Sequence, residues 1–122
     1  MEGTETTTHA LGTREHIARI RELNDAFRMT LIGGIVVATP GFRGLDKGAR
    51  IWVLHQLALF TSFEKANDPY GEHDFGAIQI EGSEKIFWKI DCYDKDVTFG
   101  SPDAADPKVT TRVLTLMLAS EY

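Results

Sequence analysis

From residue 13 onward Ile17, Ile20, Leu23 or Asn24, Phe27 and Leu31 recur three or four positions apart, which is the spacing of one helical face. Thr13 suits a helix cap, so the pattern predicts a helix from Thr13 to about Met29. Arg14, Arg19, Arg21 and Arg28 then lie around its polar side. Gly33-Gly34 ends the periodicity, and Ile35 to Thr39 is a short β-branched run closed by Pro40-Gly41. Its unbroken apolar character predicts a strand covered on both faces or lying inside a sheet. Asp46 caps a second predicted helix to about Ser62, in which Ile51, Trp52, Val53, Leu54, Leu57, Ala58, Leu59 and Phe60 cover most of the circumference. Such a helix is largely buried, or presents part of its surface to a partner; His55 reads as a core or boundary residue.

The period changes to two in residues 71–96. Gly76, Ile78 and Ile80 alternate with Phe75, Ala77 and Gln79, and Ile86, Trp88, Ile90 and Cys92 alternate with Phe87, Lys89, Asp91 and Tyr93, the pattern of a β-hairpin. Both apolar faces must lie on one side. The register chosen on that basis sets Ile78 opposite Trp88, Ile80 opposite Ile86, and residues 82–84 in a three-residue loop. It also sets Phe75 opposite Asp91, His73 opposite Tyr93 and Asp74 opposite Cys92, gathering acidic and aromatic side chains at the end away from the turn. Further on, Asp106-Pro107 is a cap followed by proline at a first helical position, with Val109, Val113, Leu116 and Met117 forming the stripe of a last helix. The predicted order is α-β-α-β-β-α: an α+β fold with a small antiparallel sheet of about three strands and helices packed mainly on one face. Residues 1–12 are polar and aperiodic and are expected to form a disordered tail ahead of a single domain over residues 13–122.

Composition narrows this picture. With 122 residues, 43% of them hydrophobic and 25% charged, the chain suits one compact core. The run Ile51 to Phe60 is interrupted by His55 and Gln56 and falls short of the roughly 20 residues a bilayer needs. The amino terminus lacks the basic-then-apolar order of a secretory signal, so a cytoplasmic protein is expected. A single cysteine, Cys92, excludes an internal disulfide and a cysteine-rich zinc site; its place on the core face predicts an inert thiol. The net charge of −5 is unevenly spread: residues 1–66 carry eight Lys/Arg against seven Asp/Glu, and residues 67–122 carry five against eleven. Asp91, Asp94, Asp96, Asp103 and Asp106 are opposed only by Lys95, a field that repels nucleic-acid phosphates and favours basic partners or cations.

Two surfaces carry candidate chemistry. The outer hairpin face and its end, with Phe75, Gln79, Phe87, Lys89, Asp91, Tyr93, Asp94 and Asp96, is unusually aromatic for a face turned only to water and is the candidate partner-binding surface. Asp68, Glu72, His73 and Asp74 are a candidate divalent-metal set or acid-base group. Alternation along a strand turns His73 away from Glu72 and Asp74, which favours structural hydrogen bonding there instead.

The segments Asn24-Asp25-Ala26-Phe27-Arg28, Thr39-Pro40-Gly41, Asn67 to Gly76, Phe87-Trp88-Lys89-Ile90-Asp91 and Arg112 to Ala119 resemble the family termed domain of unknown function 3768, over residues 20–122. The resemblance implies small accessory proteins of alphaproteobacteria and their mobile DNA, and brings no catalytic residues with it. Cys92 stands where the family pattern has an aromatic residue. The leading expectation is a non-enzymatic interaction protein without a cofactor, encoded on mobile DNA; one specific form of it is an inhibitor of host CRISPR or restriction systems, setting its acidic and aromatic face against a basic nucleic-acid-binding effector. The alternatives are a metal-dependent hydrolase using residues 68–94 and a homodimeric accessory subunit.

Overall fold

A computed structural model describes residues 2–122, and the side chains of residues 13–122. Helix α1 (Glu2–Thr30) leads into β1 (Gly34–Ala38), the short helix α2 (Pro40–Arg43) and α3 (Lys47–Ala58). Strands β2 (Phe75–Gln79), β3 (Lys85–Tyr93) and β4 (Thr111–Leu118) follow, and a 3-10 turn (Ala119–Glu121) closes the chain. The tail expected over residues 1–12 lies outside the residues whose side chains are described.

The fold is α+β, with a four-stranded sheet in the order β1-β4-β3-β2. β3 runs antiparallel to both β2 and β4, and β1 is parallel to β4, so the sheet is mixed where a purely antiparallel one was expected. Phe27 of α1, Phe42 of α2 and Val53 and Leu57 of α3 pack against Ile78, Ile86, Trp88, Ile90, Leu114 and Leu116. The three helices thus cover one face of the sheet.

The last predicted helix is instead the central strand β4. Both of its faces are buried, with Arg112, Val113, Leu114, Leu116 and Met117 all inside, and a continuous apolar run of that kind cannot be told from a buried helix by periodicity. The Asp106-Pro107 signal marks a turn, in which Asp106 Oδ1 accepts the Lys108 N–H at 2.9 Å. β1, expected inside, lies at the edge with Ile35, Val36 and Val37 46%, 41% and 42% exposed.

Asp46 caps α3 as expected, accepting the Ala49 N–H at 2.9 Å. The helix ends at Ala58 and buries only Val53 and Leu57, leaving Ile51, Trp52 and His55 exposed. In α1 the inward stripe contains Asn24 and Arg28 along with Ile20 and Phe27, all 5% exposed or less; Arg28 is therefore not on the polar side.

The hairpin keeps its predicted faces but not its pairs. Ile78 stands opposite Ile86, Gly76 opposite Trp88 and Phe75 opposite Lys89, a slip of two that preserves parity. Trp88 selects this register: a Cβ at position 76 would lie 2.5 Å from its Nε1 and 2.6 Å from Phe60 Cζ, so only glycine fits across from the indole. The turn is correspondingly longer. Ser83 N–H donates to the Ile80 carbonyl at 3.1 Å, with Gly82 at φ +75°.

Candidate functional site

The face opposite the helices carries Phe75, Ala77, Phe87, Lys89, Asp91, Tyr93, Val113, Thr115 and Met117, with Ile35 and Val37 beside them on β1, as the strand registers dictate. Among the described residues no helix packs over it, although Val113 and Met117 on it are buried. The chain end returns to this face: the Tyr122 ring meets Phe75 and Phe87 at centroid distances of 5.8 and 5.6 Å, and those two rings are 5.2 Å apart. Glu121 positions this return, since its carboxylate accepts the Thr39 hydroxyl at 2.6 Å and the Leu118 and Gly41 N–H groups at 2.8 and 3.0 Å. The Thr39 hydroxyl, followed by these N–H donors, holds the Glu121 carboxyl below its ordinary value.

Beside the aromatic trio lies a groove of about 550 Å³, lined by Phe75, Phe87, Tyr122, Lys89, Asp91 and Asp74 among others. Lys89 Nζ is 2.8 Å from Asp91 Oδ2, each side chain 37% exposed, and this hydrogen bond raises the lysine pKa. Asp74 has no such partner among the described contacts. Burial, reinforced by the charges of Asp68 and Asp91, raises its pKa. The groove is thus aromatic on one side and acidic on the other. Gln79 does not contribute an open amide, because its Nε2 donates to the Ile80 and Ser83 carbonyls at 2.9 and 2.7 Å. Asp94 Oδ1 accepts the Thr98 N–H at 2.9 Å, so Asp94 shapes the turn beyond β3, in which Asp96 is exposed.

The four candidate metal ligands do not converge on one point. Asp68 is buried, and its Oδ1 accepts the N–H groups of Glu72 and His73 at 3.0 and 3.2 Å. His73, at φ +56°, pairs through Nδ1 with Asp25 Oδ1 at 2.8 Å, while Nε2 stands 3.7 Å from Asp68 Oδ2. Its ring stacks on Phe63 at 3.7 Å. Arg28 donates to Asp25 at 2.6 Å and to the carbonyls of Leu57 and Phe60 at 3.1 and 3.3 Å. Asn24 bonds the Glu72 carbonyl at 2.9 Å and accepts Arg112 Nε at 2.7 Å. Burial and the neighbouring carboxylates raise the Glu72 pKa, and burial lowers that of Arg112. Among the described residues no group of three or more His, Cys, Asp or Glu side chains is placed to hold a metal ion. The arrangement is a polar knot tying the segment before β2 to α1 and β4. A pocket of about 520 Å³ opens beside it over His73, Arg28 and Phe63, but the Arg28 guanidinium is already committed to its three partners. Cys92 is half-buried, its thiol pKa pushed up by burial, which disfavours the nucleophilic thiolate.

A family model described as a protein of unknown function, DUF3768, matches residues 38–121. The chain belongs to this family. The DUF3768 match takes in α2, α3, β2, β3 and β4 and so the hairpin face, whereas Asn24, Asp25 and Arg28 of the knot precede it. No curated protein and no solved structure matches the chain. Within the DUF3768 chain no described helix is long and apolar enough to cross a membrane.

The sequence reading missed Tyr122 at the groove and Asn24, Arg28, Phe63 and Arg112 in the knot. Arg28 had a signal, since it follows Asn24 by four and Asp25 by three on one helix. Arg112 would have followed from strand parity had residues 111–118 been read as a strand. Tyr122 left none, because its contact depends on the terminal turn.

Proposed function

We propose that this chain is a protein-binding module that uses the helix-free sheet face to dock a cationic partner segment carrying aliphatic or aromatic side chains. The observation that carries the reading is the Phe75–Phe87–Tyr122 cluster beside Asp74 and Asp91 in one open groove. Aromatic rings supply rigid contact area for a partner's apolar side chains, and the carboxylates attract its Lys or Arg groups and set orientation. The acidic balance of residues 67–122, with five Lys/Arg against eleven Asp/Glu, supports the same partner class. In its specific form, the partner is the basic nucleic-acid groove of a host defence effector, such as a CRISPR or restriction complex, and the carboxylates stand in for phosphates. That form expects the chain to compete with DNA for the effector.

The test is a fluorescence-anisotropy titration of a labelled peptide alternating arginine and leucine. Asp91→Lys should weaken binding about tenfold, equivalent to roughly 1.4 kcal/mol, while Lys89→Ala, which frees Asp91, should tighten it. Glu15→Lys, on the exposed side of α1, should leave it unchanged. Added salt should weaken the complex steeply. Equal effects of Asp91→Lys and Glu15→Lys, or no saturable binding, would remove the groove from the account.

A further inference from the structure

β1 is bonded on one side only, to β4. The Thr39 N–H donates to the Leu116 carbonyl at 3.0 Å, and direction alternates along a strand. Ile35, Val37 and Thr39 therefore turn their amides toward β4, and Gly34, Val36 and Ala38 turn theirs outward. Ile35, Val36 and Val37 are 46%, 41% and 42% exposed. No charged residue stands between Arg28 and Arg43, so this edge lacks the lysine or inward charge with which sheet edges commonly block pairing.

We infer that β1 pairs antiparallel with β1 of a second copy, about a two-fold axis at Val36, joining two four-stranded sheets edge to edge. Under that operation Gly34 meets Ala38, Ile35 meets Val37, and Val36 meets Val36. The three outward-facing residues fall opposite one another, so their free N–H and C=O groups pair completely. The edge itself selects a second copy over a basic partner, because its outward groups are complete only against an identical strand in this register. The net charge of −5 repels two copies at long range, but the uncharged stretch lets them meet without like charges set across the ladder. A cationic partner would gain nothing from a strand that carries no carboxylate. With the axis normal to the sheet, the two grooves face the same way. Two five-residue edges form an interface smaller than the ~1,600 Å² of a standard complex, so the dimer dissociates on dilution. This inference stands independently of the groove reading.

Sedimentation velocity of the full chain over a concentration series should show the mass rising from 13.6 kDa toward twice that value. Val36→Lys and Val36→Pro should remain monomeric. The proline removes only an outward N–H, so circular dichroism should be unchanged. A cross-link tests the register without requiring a monomeric variant to fold. In a Cys92→Ser background, Val36→Cys places two thiols on a hydrogen-bonded pair with Cα atoms about 5.5 Å apart, within disulfide reach, whereas Ile35→Cys does not face itself. Oxidation should yield dimer from the first at least tenfold faster than from the second. A wild-type chain that stays at 13.6 kDa at every concentration, or equal cross-linking at positions 35 and 36, would overturn the pairing.

Discussion

Asp68 shows how one carboxylate can close a loop. Its Oδ1 accepts two successive backbone N–H groups and its Oδ2 approaches His73 Nε2, so the left-handed backbone of His73 is held from its amide and its ring together. Asp68→Ala leaves those N–H groups without their acceptor and should cost on the order of 2–3 kcal/mol in denaturant unfolding. Asp68→Asn retains an acceptor oxygen and should cost clearly less. Equal losses for Asn and Ala would show that the charge, not the hydrogen bonding, matters. Asp74 behaves in the opposite sense. Burial raises its pKa above the ordinary 3.8, so the folded chain holds that proton more tightly than the unfolded chain does. Its contribution to stability is fully present below the ordinary value and is lost as pH rises through the folded one. At neutral pH the ionised Asp74 is therefore a cost: Asp74→Asn should raise Tm at pH 7, and the gain should disappear near pH 3. A variant that lowered Tm at pH 7 would mean the charge is compensated in the fold.

Among the elements, β1 and β4 exchange the roles that their sequences suggested. Val-Leu-Thr-Leu-Met-Leu over residues 113–118 lacks strict alternation and also fits the helical stripe read there, since the strand it forms is buried on both faces; local pattern does not separate the two. Ile-Val-Val-Ala over residues 35–38 is as apolar, but only the non-local pairing order puts it at an edge. The hairpin was legible because one face is apolar and the other is not. Parity survived a wrong register, which is why Phe75, Phe87, Lys89, Asp91 and Tyr93 share a face although Phe75 opposes Lys89 rather than Asp91. The knot was only half legible, because beside its local bonds the hydrogen bonds that join its elements span 29 to 88 residues. Glu121 joins α2 to the end of β4 through its three accepted hydrogen bonds. Its lowered pKa means that the stability it adds is present above the ordinary 4.5 and is lost as pH falls through the folded value. Glu121→Gln should lower Tm at pH 7, with the difference closing in acid; a difference independent of pH would detach the effect from the carboxylate.

Taken as a whole, the molecule has one sheet face covered by helices and one without them, the latter still burying Val113 and Met117 at its centre. The helices, the aromatic core around Trp88 and the polar knot all lie on the covered side, and leave the open face to Phe75, Phe87, Tyr122 and the Lys89–Asp91 pair. The proposed binding function would use this division, because a surface that meets a partner must keep its shape while the partner comes and goes. The pairing inferred at β1 would add a second way of presenting that surface, with two grooves side by side. The most direct measurement is an amide chemical-shift map of the labelled chain titrated with the arginine–leucine peptide. The account predicts saturable shifts concentrated on residues 74–75, 87–91 and 122, with α1 unmoved. Saturable shifts centred on the pocket over His73 and Arg28, with the open face unchanged, would contradict it.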